Sequence, residues 1–275
     1  LDLFTFLKMK SPIKMRICGI PCSVSASGLI GPKGTDLFSA ITEKEKGLKL
    51  FLNLENLPAV NMPSGFTLPT IVMDLPFSSK EEYEKAMLYE YRRRYKKARN
   101  LFNEIDVVRS GCSCFGEHEH RLYLEVLKRS SGKLETLTMD FFANLPEVFQ
   151  LARFYREGEL LGWHITVLHQ KTQYFFLGGI NYRCNDRYET YFNMLYDIIE
   201  QGIENKAACA DLGQTAEEPK LRTGGTVTSR YMAAHHSSII FRSVLKLAKG
   251  FLEYRGEFSQ HHVFKGEMDN DTDMR

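Results

Sequence analysis

Hydrophobic and polar residues alternate in several short stretches of the chain, and this period of two residues predicts β-strands. The alternation is clear in LKLFLNL at 48–54 and in PTIVMDL at 69–75, where the leading proline suits a sheet edge. Residues 15–30 predict a buried strand that leads into a loop of small residues. Further strands are predicted at 148–156, 161–169, 172–182, 207–213 and 226–234.

A helical period is strongest after Ser79, which has the spacing of a capping box with Glu82. Apolar or aromatic residues then recur every three or four positions, and the other face is strongly charged, which is more typical of core packing than of a ligand surface. These residues are Tyr83, Met87, Tyr91, Tyr95 and Ala98. Further helices are predicted at 117–129, at 138–145, from a cap formed by Asp186 and Glu189, and from Ser237 or Ser238 to Tyr254.

The order of these elements predicts the fold class. From residue 117 onward it is helix, short helix, three strands, helix, strand, short helix, strand and helix. Three consecutive strands followed by a crossover helix and another strand give a sheet with both parallel and antiparallel pairs. The chain is therefore predicted to have an α/β (α+β) fold with a mixed sheet, and not a doubly wound parallel sheet.

Composition narrows the class of protein. The chain has 275 residues, of which 43% are hydrophobic and 25% charged, as in an ordinary soluble globular protein. Its net charge of +2 argues against a strong overall basic field for nucleic acid. The basic run at 92–97 is a local exception; it suits the C-terminal end of a helix and could also contact the phosphates of an acceptor or of a tRNA.

The cysteines and the apolar runs indicate a cytoplasmic protein. Six scattered cysteines have no disulfide-framework spacing, so reduced thiols are expected. No apolar run reaches the roughly 20 residues of a membrane-spanning helix. The first ten residues lack a secretory pattern, and because they begin with Leu1 rather than Met, the natural start is expected to lie upstream.

One group of potential metal ligands is present, Cys112 and Cys114 with His118 and His120. Residues two apart point away from each other in a strand and on a helix, and structural zinc sites space their ligands differently. We therefore predict no metal site.

Four stretches, in their order along the chain, resemble the GNAT acyltransferase superfamily and more narrowly its Fem-type, peptidoglycan-biosynthesis-like branch. They are FSSKEEYEKAMLYEYRRRYKKA at 77–98, LYLEVLKRSSGKLETLTMDFF at 122–142, FFLGGINY at 175–182 and ADLGQTAEEPKLRTGG at 210–225. The resemblance implies a GNAT-like fold, with a partial second GNAT-like half at the N-terminus. The expected domains are 1–100 with N-terminal strands and a bridging helix, 101–256 as the acyltransferase domain, and 257–275 as a polar tail.

The resemblance also implies where the acyl donor binds. In GNAT proteins the donor lies where two parallel strands part, and a bulge in the first strand exposes backbone amides to the acyl carbonyl. Gly178 and Gly179 would occupy such a bulge and help to bind the donor, here acetyl-CoA or another acyl-CoA. The alternative is that these glycines only accommodate the packing of Trp163 or Phe176.

Three residues are implied to take part in the chemistry. Lys220 follows the Asp-hydrophobic-Gly strand end, as in Fem-like proteins, and would stabilise negative charge. Asp211 would accept a proton and Tyr182 would donate one. For Asp211, a carboxylate that caps the following turn is an equally good interpretation.

The segment before the crossover helix departs from the family pattern. Residues 181–187 contain no glycine, whereas GNAT enzymes that use acetyl-CoA carry a glycine-rich loop that holds the diphosphate. Arg183 and Arg187 could contact phosphates or simply be solvated, and Asp186 would repel an anion. The sequence thus predicts an N-acyltransferase that moves an acyl group from acyl-CoA to a small-molecule or peptide amine. Two alternatives are aminoacyl-tRNA-dependent transfer to a cell-wall precursor and a catalytically silent binding module.

Overall fold

The structure is a computed structural model that describes residues 15–20, 25–29, 31, 34–58, 62–130 and 136–266. The chain forms two compact units, each built from separate stretches of sequence. The first comprises residues 1–70 and 228–257, and the second comprises residues 71–227 and 258–275. Most of the predicted elements are present, with shifted ends.

The described strands are, in chain order, β1 Met15–Cys18, β2 Leu48–Leu54, β3 Ser64–Phe66, β4 Thr70–Asp74, β5 Asp106–Gly111, β6 Phe149–Arg156, β7 Glu159–His169, β8 Thr172–Ile180, β9 Cys209–Asp211, β10 Thr226–Thr228 and β11 Tyr231–His236. The described α-helices are α1 Gly34–Lys44, α2 Lys80–Ala86, α3 Tyr89–Phe102, α4 Glu117–Arg129, α5 Met139–Ala143, α6 Asn185–Tyr188, α7 Thr190–Glu204, α8 Glu217–Leu221 and α9 Ile239–Leu252.

The first unit contains a four-stranded sheet in the order β1-β2-β11-β3. Strand β1 runs parallel to β2, while β11 is antiparallel to both of its neighbours. Phe51 of β2 is fully buried, and its ring centroid lies 4.8 Å from that of Phe38 on α1. The prediction of a buried strand at the start of 15–30 is wrong in its burial, because β1 is an edge strand on which Met15 and Ile17 are exposed.

The second unit contains a seven-stranded sheet in the order β10-β4-β9-β8-β7-β6-β5. Strands β5 to β8 form an antiparallel meander, β8 pairs with β9 in parallel, and β9 pairs with β4 antiparallel. The predicted mixed sheet is thus confirmed. The partial second GNAT-like half at the N-terminus stays a prediction.

The helix predicted after Ser79 is split into α2 and α3. Ser79 caps α2 as predicted, since its Oγ accepts a hydrogen bond from the backbone amide of Glu82 at 3.2 Å. The chain leaves the helical conformation at Met87, which forms a β-bridge with Phe264. Phe264 lies about 180 residues downstream of Met87, so a local sequence pattern does not predict this bridge.

The aromatic stripe of α2 and α3 is core packing, as predicted. Tyr83 is fully buried and donates from its hydroxyl to the carbonyl oxygen of Thr223 at 2.7 Å. Tyr95 packs edge-on against Tyr196 of α7, with 4.9 Å between the ring centroids, and donates to Glu200 at 2.7 Å. These contacts fix α3 along α7.

Candidate functional site

Strands β8 and β9 part after a short paired segment. Their parallel pairing runs only from Thr172 with Cys209 to Tyr174 with Asp211. Strand β8 then continues to Ile180, and among the described strands none pairs with that edge beyond Tyr174. The two strands therefore part as expected, and we call the space beside the second half of β8 the slot.

The bulge in β8 lies before the twin glycines. Ile165 of β7 pairs with Leu177 and the next β7 residue, Thr166, pairs with Phe175, so Phe176 is the extra residue on β8. Gly178 and Gly179 instead pair in regular register with His164 and Trp163. The predicted bulge at the glycines is displaced by two residues, because the register depends on contacts that the sequence pattern does not contain.

The twin glycines make room for neighbouring side chains. A Cβ atom on Gly179 would lie 2.3 Å from Nε1 of Trp163, and one on Gly178 would lie 3.0 Å from the terminal methyl of Met194. Trp163 is fully buried and donates from Nε1 to the carbonyl oxygen of Glu119 at 2.8 Å. The packing interpretation, with Trp163 as the partner, therefore accounts for Gly179.

This contact gives a first testable prediction. Gly179→Ala should lower the free energy of unfolding by about 1–3 kcal/mol, because a buried indole held by a hydrogen bond has to move. Gly111→Ala is the matched control, since a Cβ there meets nothing within 4 Å. Urea unfolding of both variants checks it, and equal midpoints would contradict the packing role of Gly179.

Lys220 of α8 is buried with its ammonium group enclosed by backbone carbonyls. Nζ donates to the carbonyl oxygens of Gly213 at 3.0 Å, Gln214 at 2.9 Å and Thr215 at 2.7 Å. Burial lowers the pKa of Lys220 to about 7, although the carboxylates of Glu217 and Asp211 act in the opposite direction. All three N–H bonds of the ammonium are used, so none is left for an acyl oxygen.

Asp211 caps the turn that contains these carbonyl groups. Its Oδ1 accepts a hydrogen bond from the backbone amide of Gly213 at 2.8 Å, which is the turn-capping arrangement that the sequence left open. The turn contains Gly213, Thr215 and Ala216 at positive φ, a conformation that costs energy for the two non-glycine residues. Lys220 and Asp211 together hold this strained turn, which directly follows the splayed strand β9.

The other predicted site residues lie elsewhere. Tyr182 packs with the Ile180 and Cys184 cluster, and the Arg129 guanidinium lies 3.9 Å from its ring centroid. Burial raises the pKa of Tyr182, so its hydroxyl stays protonated at neutral pH. Arg183 and Arg187 are both exposed.

The N-terminal end of α7 differs from a glycine-rich diphosphate loop. Glu189, in the left-handed conformation, is the residue that precedes the helix. The amide of Tyr191 is already taken by Oδ1 of Asn185 at 3.1 Å, and the carboxylate of Asp186 lies in the same short segment. Because helix N-termini bind anions through free amides, the engaged amide and the nearby carboxylate make this end less favourable to an anion than a glycine-rich loop.

A pocket of about 270 Å³ lies beside the same helix end, between α3, α7 and the end of α8. Its lining combines three cationic side chains and one carboxylate with two aromatic rings. The lining residues are Arg94, Lys97, Ala98, Glu189, Phe192, Tyr196 and Arg222. A lining with this excess of positive charge suits an anionic group on a ligand.

The cations of the pocket differ in how far they are neutralised. Lys97 bonds to Glu189 at 2.7 Å, and Arg222 bonds to Glu218 at 2.7 Å. Arg94 is exposed and has no ion pair within the described part of the chain. Arg94 is therefore the side chain in the pocket with its charge most available to a ligand.

The sequence places Arg94 and Lys97 in the basic run but contains no local signal that joins them to a pocket. The sequence analysis did not predict that Arg222 or the rings of Phe192 and Tyr196 line a pocket. Only contacts between α3 and α7, such as the Tyr95–Tyr196 packing, bring these separate segments together.

A buried charge network anchors α7 to the sheet. Asp197 accepts two hydrogen bonds from Arg109, at 2.6 and 3.0 Å, and one from Nε2 of His164 at 2.8 Å. Gln201 donates a fourth at 2.9 Å. The network fixes the crossover helix, which packs on β7, β8 and β9.

Two searches of the described residues concern other classes of site. No group of three or more histidine, cysteine, aspartate or glutamate side chains there is arranged to hold a metal ion. None of the helices in the described ranges combines the length and apolar character needed to cross a bilayer.

Comparisons with known proteins show a family likeness and a fold likeness. Residues 88–221 match the sequence family described as acetyltransferase (GNAT) domain. The crystal structure of FemX is similar over 78% of this chain and 71% of that chain, with a TM-score of 0.52 and 12% identity. The structure of L-PGS from Bacillus licheniformis is similar over 80% and 77%, with a TM-score of 0.47 and 12% identity. No curated protein sequence matches the chain significantly.

Proposed function

We propose, from the premise that residues 88–221 form a GNAT acyltransferase domain, that the chain transfers an acyl group to an amine and that its donor is an aminoacyl-tRNA. The observation that carries the transfer is the slot where β8 and β9 part after Tyr174. The donor assignment rests on two features beside it. One is the end of α7, which is less favourable to an anion than a glycine-rich loop, and the other is the cationic pocket.

The slot provides backbone groups for a carbonyl. A bulge re-aims the backbone of its strand, and the bulge at Phe176 lies on the half of β8 that borders the slot. An amide directed at the acyl oxygen would stabilise the negative charge that develops when an amine attacks. The amine nitrogen bonds to the carbonyl carbon, the ester carbon–oxygen bond breaks, and the leaving ribose hydroxyl gains the proton that the amine loses.

The predicted residues take different roles in this proposal. Lys220 and Asp211 are positioning residues, because their polar atoms hold the turn after β9 rather than facing a substrate. Tyr182 remains the proposed proton donor, since a hydroxyl with a raised pKa can donate but does not act as a base at neutral pH. The backbone contact with the acyl carbonyl, which the sequence predicts at Gly178 and Gly179, is assigned in this proposal to the bulge at Phe176.

The donor is argued from charge. A tRNA presents phosphodiesters along its backbone, and a protein binds them through exposed basic side chains rather than through a single diphosphate loop. Helix α3 offers Arg93 and Arg94, both exposed, next to the highly exposed ring of Tyr89. A basic surface with an aromatic side chain suits RNA better than it suits the adenosine diphosphate of coenzyme A.

The test measures transfer from two donors under the same conditions. The full chain is incubated with radiolabelled aminoacyl-tRNA or with labelled acetyl-CoA, and with a lysine-containing cell-wall pentapeptide precursor as the amine. We expect labelled amide from aminoacyl-tRNA only, and no rise in melting temperature with millimolar coenzyme A. Arg94→Glu should weaken tRNA binding by about tenfold, the loss expected for one phosphate contact and a new repulsion.

Lys128→Glu is the control for Arg94→Glu, because it makes the same change of charge on an exposed position of α4, outside the pocket. Equal weakening by both variants would contradict the pocket as the phosphate site. Transfer from acetyl-CoA with a thermal shift would overturn the donor assignment and retain the transferase. Amide formation no faster than in buffer with either donor would overturn the transferase itself.

A further inference from the structure

Helix α9 of the first unit has an exposed apolar surface. Relative to full exposure, Ile239 is 71% accessible, Ile240 72% and Leu247 83%. Phe241 and Val244 are also exposed, at 49% and 48%. Monomeric soluble proteins rarely leave so many adjacent large apolar side chains in water, so this surface calls for a partner.

The exposed residues share one side of the helix. Ile240, Val244 and Leu247 are spaced by four and three residues and so lie on one face of the helix. Leu245 and Arg242 are half-buried, and Phe241 contacts the His236 ring at 4.6 Å between centroids. The helix therefore contacts its unit through Phe241, while the face that carries Ile240, Val244 and Leu247 is exposed to solvent.

The charge of this helix is uniformly positive. The segment IIFRSVLKLAKGFL at 239–252 contains three basic residues and no acidic one. A basic polar side next to an apolar face is typical of helices that lie in the interfacial region of a membrane. Long basic side chains can reach the headgroups while the apolar residues enter the acyl boundary.

We propose that α9 binds the surface of an anionic lipid bilayer, with Ile240, Val244 and Leu247 in the acyl boundary and the exposed Lys246 at the headgroups. A helix of 14 residues is about 21 Å long, shorter than the hydrocarbon core, so it lies in the surface and does not span it. A second copy of this chain fits less well. In a two-fold pair, the α9 segment of the copy offers no acidic residue to pair with Lys246.

The test is co-sedimentation of the full chain with vesicles of neutral phosphatidylcholine and with vesicles that contain about one third phosphatidylglycerol. We expect binding to the anionic vesicles that weakens at high salt, and at least tenfold weaker binding to the neutral ones. Leu247→Glu should reduce binding to anionic vesicles about tenfold or more, because it places a carboxylate in the apolar face. Lys246→Glu should reduce the preference for anionic lipid.

Leu57→Glu is the matched control, since Leu57 is exposed in the same unit but lies outside α9. All three substitutions change exposed side chains, and their urea midpoints should equal that of the parent. Binding to neither vesicle at low salt would overturn the proposal, and so would equal loss of binding in Leu57→Glu and Leu247→Glu. A concentration-dependent dimer that Leu247→Glu abolishes would overturn it in favour of a second copy.

Discussion

Asp197→Asn is expected to lower the free energy of unfolding by about 2–3 kcal/mol, because the buried His164 and the half-exposed Arg109 lose a charged acceptor. The parent carboxylate is almost inaccessible to water and accepts hydrogen bonds from Arg109, His164 and Gln201. An amide in its place offers one acceptor oxygen and a donor group that faces other donors. The guanidinium of Arg109 would then lose its counterion.

The same network makes stability depend on acid. Burial alone raises the pKa of Asp197, but the hydrogen bonds and charges of His164 and Arg109 outweigh it and hold the pKa well below its ordinary 3.8. As the pH falls below about 4, the unfolded chain therefore takes up a proton that the native state refuses. The stabilisation is complete above that pH and is lost progressively below it.

Urea unfolding at pH 7 and at pH 3.5 measures both effects. The parent should lose stability between these values, and the difference between the parent and Asp197→Asn should shrink at the lower pH. Asp186→Asn is the control, because that exposed carboxylate contacts only its neighbour Asn185 within the described residues. A change below 1 kcal/mol in Asp197→Asn at pH 7 would contradict the network as an anchor of α7.

Regular elements were predictable wherever the local pattern was regular. Strand β2 and helix α4 have the predicted ends, because alternation at 48–54 and a helical stripe at 117–129 act within a few residues. Strand β5, DVVRSG, was missed since it has few apolar residues and none of its residues is buried. Helix α3 begins anew at Tyr89 because the chain near 264 pairs with Met87, a partner that no local window contains.

The parting of β8 and β9 could be predicted from the sequence, but the roles of the residues beside it could not. The order of three strands, a helix and a strand places β8 beside β9, so their parting could be inferred from the family likeness. A pair of glycines indicates only that something approaches the backbone closely, and here it is Trp163. A lysine in a short polar segment likewise predicts exposure, whereas Lys220 is buried by the turn that it holds.

Lys220→Met is expected to lower the free energy of unfolding by about 3 kcal/mol at pH 7 and to abolish transfer. Methionine fills a similar volume but donates no hydrogen bond, so the carbonyl oxygens of residues 213–215 lose their shared partner. The strained turn after β9 would relax, and the edge of the slot that it forms would be displaced.

The pH dependence distinguishes this role from simple packing. Burial lowers the pKa of Lys220 from 10.5 to about 7, so between these values the unfolded chain holds a proton that the native state has released. Stability of the parent therefore rises with pH in this window, by about 2 kcal/mol from pH 7 to pH 9. Lys220→Met lacks the titrating group, so the gap between the two proteins should widen by that amount.

Lys265→Met provides the comparison, because that exposed lysine donates to a single backbone carbonyl, that of Lys85, at 2.7 Å. Its unfolding free energy should stay within about 0.5 kcal/mol of the parent and run parallel to it with pH. A gap between the parent and Lys220→Met that is constant from pH 7 to pH 9 would show that Lys220 keeps its proton in the fold. In that case the three carbonyl oxygens bind a lysine that stays charged throughout this pH range. Any loss of transfer in Lys220→Met would then be attributed to displacement of the turn.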